Sequence, residues 1–153
     1  MTLPKELLCH AVTVFNRVNP AGGGEDFRYA VLRNVRIEQR IGVTQKKEGQ
    51  FPHDTFKLFA DQKHTEAYRG SDKLSYMEKT IFRRLKGEAQ EGLWTFAEGD
   101  YLVPKELVPG WDAYGIDDLR DYEQVFVIHS IVPVYSDGEF HHWEVSGRGR
   151  IIE

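Results

Sequence analysis

The chain has 153 residues, a net charge of −4 at pH 7 and 12% aromatic residues. This length predicts one domain over 1–153, which can bury roughly 70% of its unfolded surface without a disulfide or a metal. A single cysteine, Cys9, excludes an internal disulfide and indicates a reducing compartment. The acidic balance argues against a whole-surface nucleic-acid footprint, and no apolar stretch is long enough to predict a membrane span or a signal peptide.

Alternating residues predict three strands in the first part of the chain, over 10–18, 27–39 and 54–61. The first and second are separated by 19–24, which contains three consecutive glycines and is typical of a flexible turn. The second and third are separated by 42–52, which is polar, contains two glycines and predicts a loop.

The middle of the chain predicts one short helix between irregular segments. Residues 62–75 are charged and show no periodicity, whereas apolar residues in 76–85 fall near one helical stripe. Ser75 or Asp72 is the expected helix cap. Residues 93–103 then predict two short strands about a tight turn.

The segment 123–147 is the most informative part of the sequence. A run of β-branched and aromatic residues is followed by Asp137-Gly138 and then by a second, alternating run. This dipeptide suits a primed turn, whose central positions need positive φ, so a long hairpin is predicted. The first arm has few polar residues, which predicts burial on both faces at the centre of a sheet. Pro133 lacks a backbone N–H, so the pairing near it should be broken or bulged.

Strands first, then a small helix, then more strands is the order of a mainly β protein. We predict a small antiparallel β-barrel or sandwich with one short helix and long loops. The loops are 42–52, 62–75 and 108–122. Loops longer than roughly 12 residues in a compact domain are usually functional, which makes these three the first indication of binding surfaces.

No catalytic or metal-binding signature is present, so we expect no enzymatic activity and no cofactor. His141 and His142 are adjacent, and adjacent strand residues point to opposite faces, which argues against one shared ion. Cys9 next to a histidine is better explained as a thiol near the first strand than as a nucleophile. Asp117 and Asp118 lack the glycine and terminal glutamate of a calcium loop and suit a solvated acidic loop.

Basic and aromatic residues offer a second class of function. The stripe 33–40, followed by Lys46 and Lys47, could bind phosphate, although a solvated strand face or a charged subunit interface fits it better. Trp94 and Trp143 lie in strand patterns and are predicted to be core residues. Trp111, in a Pro-Gly-Trp-Asp loop, is predicted to be an exposed contact anchor.

Five phrases in a fixed order resemble a known protein family. They are AVTVFNR (11–17), AVLRNV (30–35), GLWTFAEGDYLV (92–103), FVIHS (126–130) and HWEVSG (142–147). Their order and spacing are similar to those of small structural proteins from the head–tail module of tailed phages and prophages of Gram-positive bacteria. That family comprises head–tail connector, head-completion and minor capsid proteins.

The resemblance implies a β-barrel subunit that is made in the bacterial cytoplasm and joins a homo-oligomeric ring at the neck of the virion. It implies contacts with other neck or capsid proteins, genomic DNA that passes without specific binding, and no membrane. The three long loops are the expected contacts, with candidate partner residues Lys46, Lys47, Arg69, Trp111, Asp117 and Asp118. The alternatives are a ligand- or nucleic-acid-binding β-barrel module and a small metal-assisted hydrolase that uses the histidines.

Overall fold

Strands dominate the fold, which confirms the mainly β prediction. The computed structural model describes residues 3–18, 26–40, 43–46, 49–52, 54–106 and 125–149. Its strands are β1 (His10–Val18), β2 (Asp26–Arg40), β3 (Val43–Lys46), β4 (Gly49–Pro52), β5 (Thr55–Ala60), β6 (Glu66–Arg69), β7 (Asp72–Tyr76), β8 (Leu93–Trp94), β9 (Tyr101–Val103), β10 (Phe126–Ser136) and β11 (Glu139–Gly149). One α-helix in this part, α1 (Lys79–Arg84), and 3-10 turns at Lys5–Leu7 and Gly87–Gln90 complete it.

Six strands form a closed ring, as a barrel requires. The order is β1-β9-β10-β11-β5-β2, and β2 pairs back to β1, so the ring closes with antiparallel neighbours throughout. The β6–β7 hairpin branches from β2, and β8 adds to β7 in parallel. Within the described residues, no helix is long and apolar enough to span a membrane.

β2 bends at Asn34, which has a left-handed backbone conformation, and pairs with β6 before this residue and with β5 after it. Asn34 has a φ of 60°, a conformation that asparagine tolerates better than most residues. It is skipped in the pairing with β1, so it forms a bulge that bends the strand. The Asn34 side chain donates to the carbonyl of His64 at 2.9 Å, and Thr65 donates to the Asn34 carbonyl at 2.9 Å. These bonds fix the point where β2 passes from β6 to β5.

The core lies inside the ring and continues under the β6–β7 branch. It is built from alternating inward residues of the ring strands together with aromatic residues from the segment around β8. Trp94 and Trp143 are both buried, which confirms their prediction as core residues. Phe96 lies between them, with ring centroids 4.9 Å and 5.7 Å away.

Two of the predicted loops contain strands, so those predictions are wrong in part. β3 and β4 pair within 42–52, and β6 and β7 occupy most of 62–75. These strands are four or five residues long, so their alternation is too brief to stand out in the sequence. The predicted helix over 76–85 is shorter, because Glu78 caps it by accepting from the N–H groups of Thr80 and Ile81 at 3.0 Å and 3.3 Å.

The prediction of two short strands in 93–103 is right, but β8 and β9 do not form a hairpin. β8 pairs with β7, whereas β9 lies between β1 and β10. A buried polar network directs this path, since Asn16 on β1 donates to the carbonyl of Thr95 and to the carboxylate of Asp100. Thr95 returns its N–H to the Asn16 side chain at 3.1 Å. These bonds hold the segment before β9 against β1.

Candidate functional site

The outer part of the β10–β11 hairpin extends beyond its neighbouring strands. β9 pairs with β10 only at Phe126 and Val127, and β5 pairs with β11 only from Trp143 onward. Residues 130–142, hereafter the arm, therefore pair only within the β10–β11 hairpin in the described part of the chain. Asp137 and Gly138 have φ values of 53° and 82°, which confirms the predicted two-residue turn.

The arm exposes large apolar side chains. Tyr135 is 62% exposed and Val132 is 49% exposed, and Pro133 is also exposed. The prediction that this run is buried on both faces holds only at the base of β10, where Phe126 and Ile128 are buried on one face and Val127 is half-buried on the other, and it is wrong for the arm. The physical reason is that β9 has only three residues, so β10 loses its second neighbour and becomes an edge strand.

One face of the arm carries an aromatic row that leads from the core to solvent. Directly paired residues share a face, and Pro133 lies opposite Trp143 while Tyr135 lies opposite Phe140. The ring centroids are 5.9 Å apart for Tyr135 and Phe140, and 4.8 Å apart for Phe140 and Trp143. The arm is thus fixed at its base by Trp143 and presents Tyr135 near its end.

Two bulges interrupt the pairing of the hairpin, one in each strand. The pairing skips His129 in β10 and His141 in β11, whereas Pro133 itself is paired. Because of the second bulge, His141 and His142 turn toward each other, with their Nδ1 atoms 2.6 Å apart. The prediction that these two side chains point to opposite faces is therefore wrong. No cluster of three or more metal-ligating side chains is found in the described part of the chain.

A cavity of about 350 Å³ lies beside the base of the arm, between the β6–β7 branch and the barrel. Its aromatic wall is formed by Tyr76, Trp94 and Trp143, with ring centroids 4.7 Å apart for Tyr76 and Trp143. Burial raises the pKa of the Tyr76 hydroxyl, so this side chain stays neutral. Lys63 and Lys73 lie among the polar residues at its edge. We call this the aromatic cavity.

A second depression, of about 640 Å³, is lined by basic residues at the ends of β2, β5 and β11. Arg40, Lys57 and Arg148 are exposed there, together with His129. Lys57 is partly neutralised, because its ammonium group lies 3.2 Å from a carboxylate oxygen of Glu144. We call this the basic cleft. Glu38 also lines the cleft, but basic side chains outnumber this one carboxylate, so the cleft suits an anionic ligand.

Of the six sequence-predicted contact residues, the structure describes two, Arg69 and Lys46. Arg69 is half-buried on β6, donates from Nε to the carbonyl of Tyr29 at 3.0 Å and stacks on the Tyr29 ring. Burial and the neighbouring Arg28 hold its pKa below the usual range, which is typical of a structural arginine. Lys46 is the last residue of β3. The remaining four, Lys47, Trp111, Asp117 and Asp118, lie outside the described residues, as does the loop 108–122.

Sequence reasoning placed the contacts in loops and missed the arm. Its apolar run has the composition of a buried strand, and composition does not reveal how long the neighbouring strand is. One signal was available: Pro133 within the run, since proline in sheets is confined to edge strands, strand starts and bulges.

Comparison with known proteins gives a family but no activity. Neither a curated protein nor a solved structure matches the chain significantly. A match over residues 8–148 covers the barrel, its branch and the arm. The chain therefore belongs to DUF6751, a family of unknown function.

Proposed function

We propose that this protein is a non-enzymatic structural subunit of a tailed phage or prophage virion, which assembles at the head–tail junction through its arm. The observation that carries the proposal is the exposed apolar edge of β10. The five sequence phrases that resemble connector and minor capsid proteins supply the biological setting.

An apolar edge strand is a surface that needs a partner. Soluble proteins usually protect strand edges with charges or short length, because unpaired N–H and C=O groups pair readily with other chains. The arm instead exposes Val132 on one face and Pro133 and Tyr135 on the other. Its paired strands present these side chains on a fixed scaffold, so little ordering entropy is lost on binding. Strand addition or burial of Tyr135 by another subunit satisfies both the backbone and the side chains.

The charge of the protein suits a subunit near packaged DNA. A net charge of −4 disfavours tight binding to phosphates, which a DNA-conducting neck needs to avoid. Repeated contacts between an arm and a different surface of the next subunit are heterologous, and such contacts close into rings when the rotation permits. The resemblance implies such a ring and is compatible with a stopper, adaptor, tail-completion or minor capsid role.

The test is deletion of the gene from the phage or prophage that carries it, followed by particle counting in the electron microscope. We expect separated heads and tails, or empty heads, and restoration by the wild-type gene. A gene with Tyr135→Ser and Val132→Ser should restore fewer joined particles than one with Ile81→Ser, a matched exposed apolar residue on α1. Normal infectious virions from the deletion strain would contradict the proposal.

The basic cleft favours a second candidate function, which is binding of an anionic ligand or a nucleic acid. Arg40, Lys57 and Arg148 are close enough to line one depression, and each is exposed. Fluorescence anisotropy with a labelled oligonucleotide at low salt tests this function. We expect affinity that falls steeply with salt and is lost in Arg40→Glu and Arg148→Glu, with Arg84→Glu on α1 as the control. An absence of binding at low salt removes this candidate.

A further inference from the structure

We propose that the arm of one copy docks in the aromatic cavity of a second copy of this chain. The inference rests on the proposed assembly function and names its partner and its surface. The arm carries an exposed aromatic side chain, and the cavity is a space with an aromatic wall. The two are separate features of one subunit.

The apolar parts of the two surfaces match in chemistry. The arm presents the ring of Tyr135, with its hydroxyl at the end of an apolar body. The cavity is walled by the half-buried ring of Tyr76 and by the buried rings of Trp94 and Trp143, beneath a polar edge. Its volume of about 350 Å³ falls within the range of sites that enclose a small molecule, so it has room for one aromatic side chain. Tyrosine is a common anchor in such pockets, since one end is apolar and the other can be wet.

The cavity lining contains two carboxylates, Asp61 and Glu66, and two lysines, and the charge that can complement the end of the arm is that of Lys63. The end of the arm is acidic, with Asp137 and Glu139 both exposed. At the cavity edge, the Glu66 carboxylate accepts a hydrogen bond from the Tyr68 hydroxyl at 2.9 Å and lies 3.4 Å from the ammonium group of Lys73. Lys63 is exposed and forms no ion pair with any residue that the structure describes. It is therefore available to an incoming carboxylate.

The occupant must come from another molecule. Trp143 forms part of the cavity wall and also lies at the base of the arm. The two strands of the arm are paired as far as Ser136 and Glu139, which makes the arm a stiff ribbon that leads away from its own base. Folding its tip back into the adjacent cavity would break this pairing. A second copy can bring its arm to the cavity with the ladder intact.

The test uses the full chain and measures self-association in two ways. Sedimentation over a concentration series gives the Kd between copies. Tryptophan emission reports the cavity, because with Trp111→Phe only the two cavity tryptophans remain of the three in the chain. We expect the emission to shift over the same concentration range as the sedimentation coefficient. Tyr135→Ser should raise Kd roughly 30-fold, the loss typical of an aromatic anchor.

Matched variants separate docking from general surface effects. Ile81→Ser removes an apolar side chain of similar exposure on α1 and should leave Kd unchanged. Lys63→Glu and Glu139→Lys should each weaken association, and the variant that carries both should recover it. Lys86→Glu is the charge control for Lys63→Glu, because Lys86 is exposed and does not line the cavity.

Specific results would overturn the inference. A wild-type protein that stays monomeric at the highest concentration would do so, as would association that Lys63→Glu leaves unchanged. Association without a change in the emission of Trp94 and Trp143 would place the contact elsewhere. None of these results bears on the particle phenotype of the gene deletion, so this inference can fail while the proposed virion role stands.

Discussion

Replacement of Asp100 by asparagine should remove one component of the pH dependence of the free energy of unfolding. The Asp100 carboxylate is 2% exposed, accepts from Asn16 Nδ2 at 3.0 Å and accepts from the N–H of Arg17 at 3.2 Å. These bonds favour the charged form. Burial opposes them and dominates, which raises the pKa of Asp100 from 3.8 to about 6.

The folded chain favours the protonated form of Asp100, and this sets the sign of the pH dependence. Because the pKa is higher in the folded chain than in the unfolded chain, the folded state binds the proton more tightly. The stabilisation by neutral Asp100 is complete below the unfolded pKa and is lost as the pH rises through the folded pKa. A rise from 3.8 to about 6 corresponds to about 3 kcal/mol, at about 1.4 kcal/mol for each tenfold change in proton affinity.

The assay is urea unfolding of the wild type and of Asp100→Asn between about pH 3 and about pH 7, a range that spans both pKa values. Asparagine cannot titrate, and its amide donor faces Asn16 or Arg17, so this variant carries a constant penalty. Other acids such as the exposed Glu78 and the half-buried Glu98, whose pKa values are lowered, titrate in both proteins and cancel in the difference. Relative to the variant, the wild type should lose about 3 kcal/mol across the range. A flat difference, or one that grows with pH, would refute the reasoning.

Three further substitutions test the packing, each by urea unfolding of the purified variant. Gly147→Ala places a methyl group on the carbonyl oxygen of Val127 and 2.8 Å from the ring of Phe56, so we expect a loss of about 3 kcal/mol; a stable variant would contradict this close approach of β10 and β11. Phe96→Ala opens a cavity between two buried tryptophans and should cost about 3–5 kcal/mol. Tyr135→Ser removes an exposed ring and should change the stability by less than about 0.5 kcal/mol; a larger loss would mean that the arm supports the fold.

The sequence predicted the strands whose alternation is long and apolar. β1 and β5 fall within a residue of their predicted bounds, and the hairpin at Asp137-Gly138 is in place, because each pattern depends on neighbouring residues alone. The sequence did not predict which strands lie side by side. β9 joins two strands that are distant in sequence, and the exposure of the arm depends on how short β9 is.

The candidate site was hidden for the same reason. The aromatic cavity combines Tyr76, Trp94 and Trp143, which come from three separate segments. Sequence analysis identified both tryptophans as core residues and was right, but no local pattern shows that a buried ring also borders a cavity. The meeting of His141 and His142 depends on one skipped residue in the pairing, which alternation cannot reveal.

The two bulges have a consequence for insertions and deletions. Val134 pairs with His142 and Tyr135 pairs with Phe140, so His141 has no paired residue in the facing strand. Loss of His141 would leave every other pair and every inward or outward side chain as it is. Only the local bend and twist would change. Single-residue length changes at this position, and at His129 in the facing strand, therefore offer evolution a way to re-aim the arm without altering its surface or the barrel.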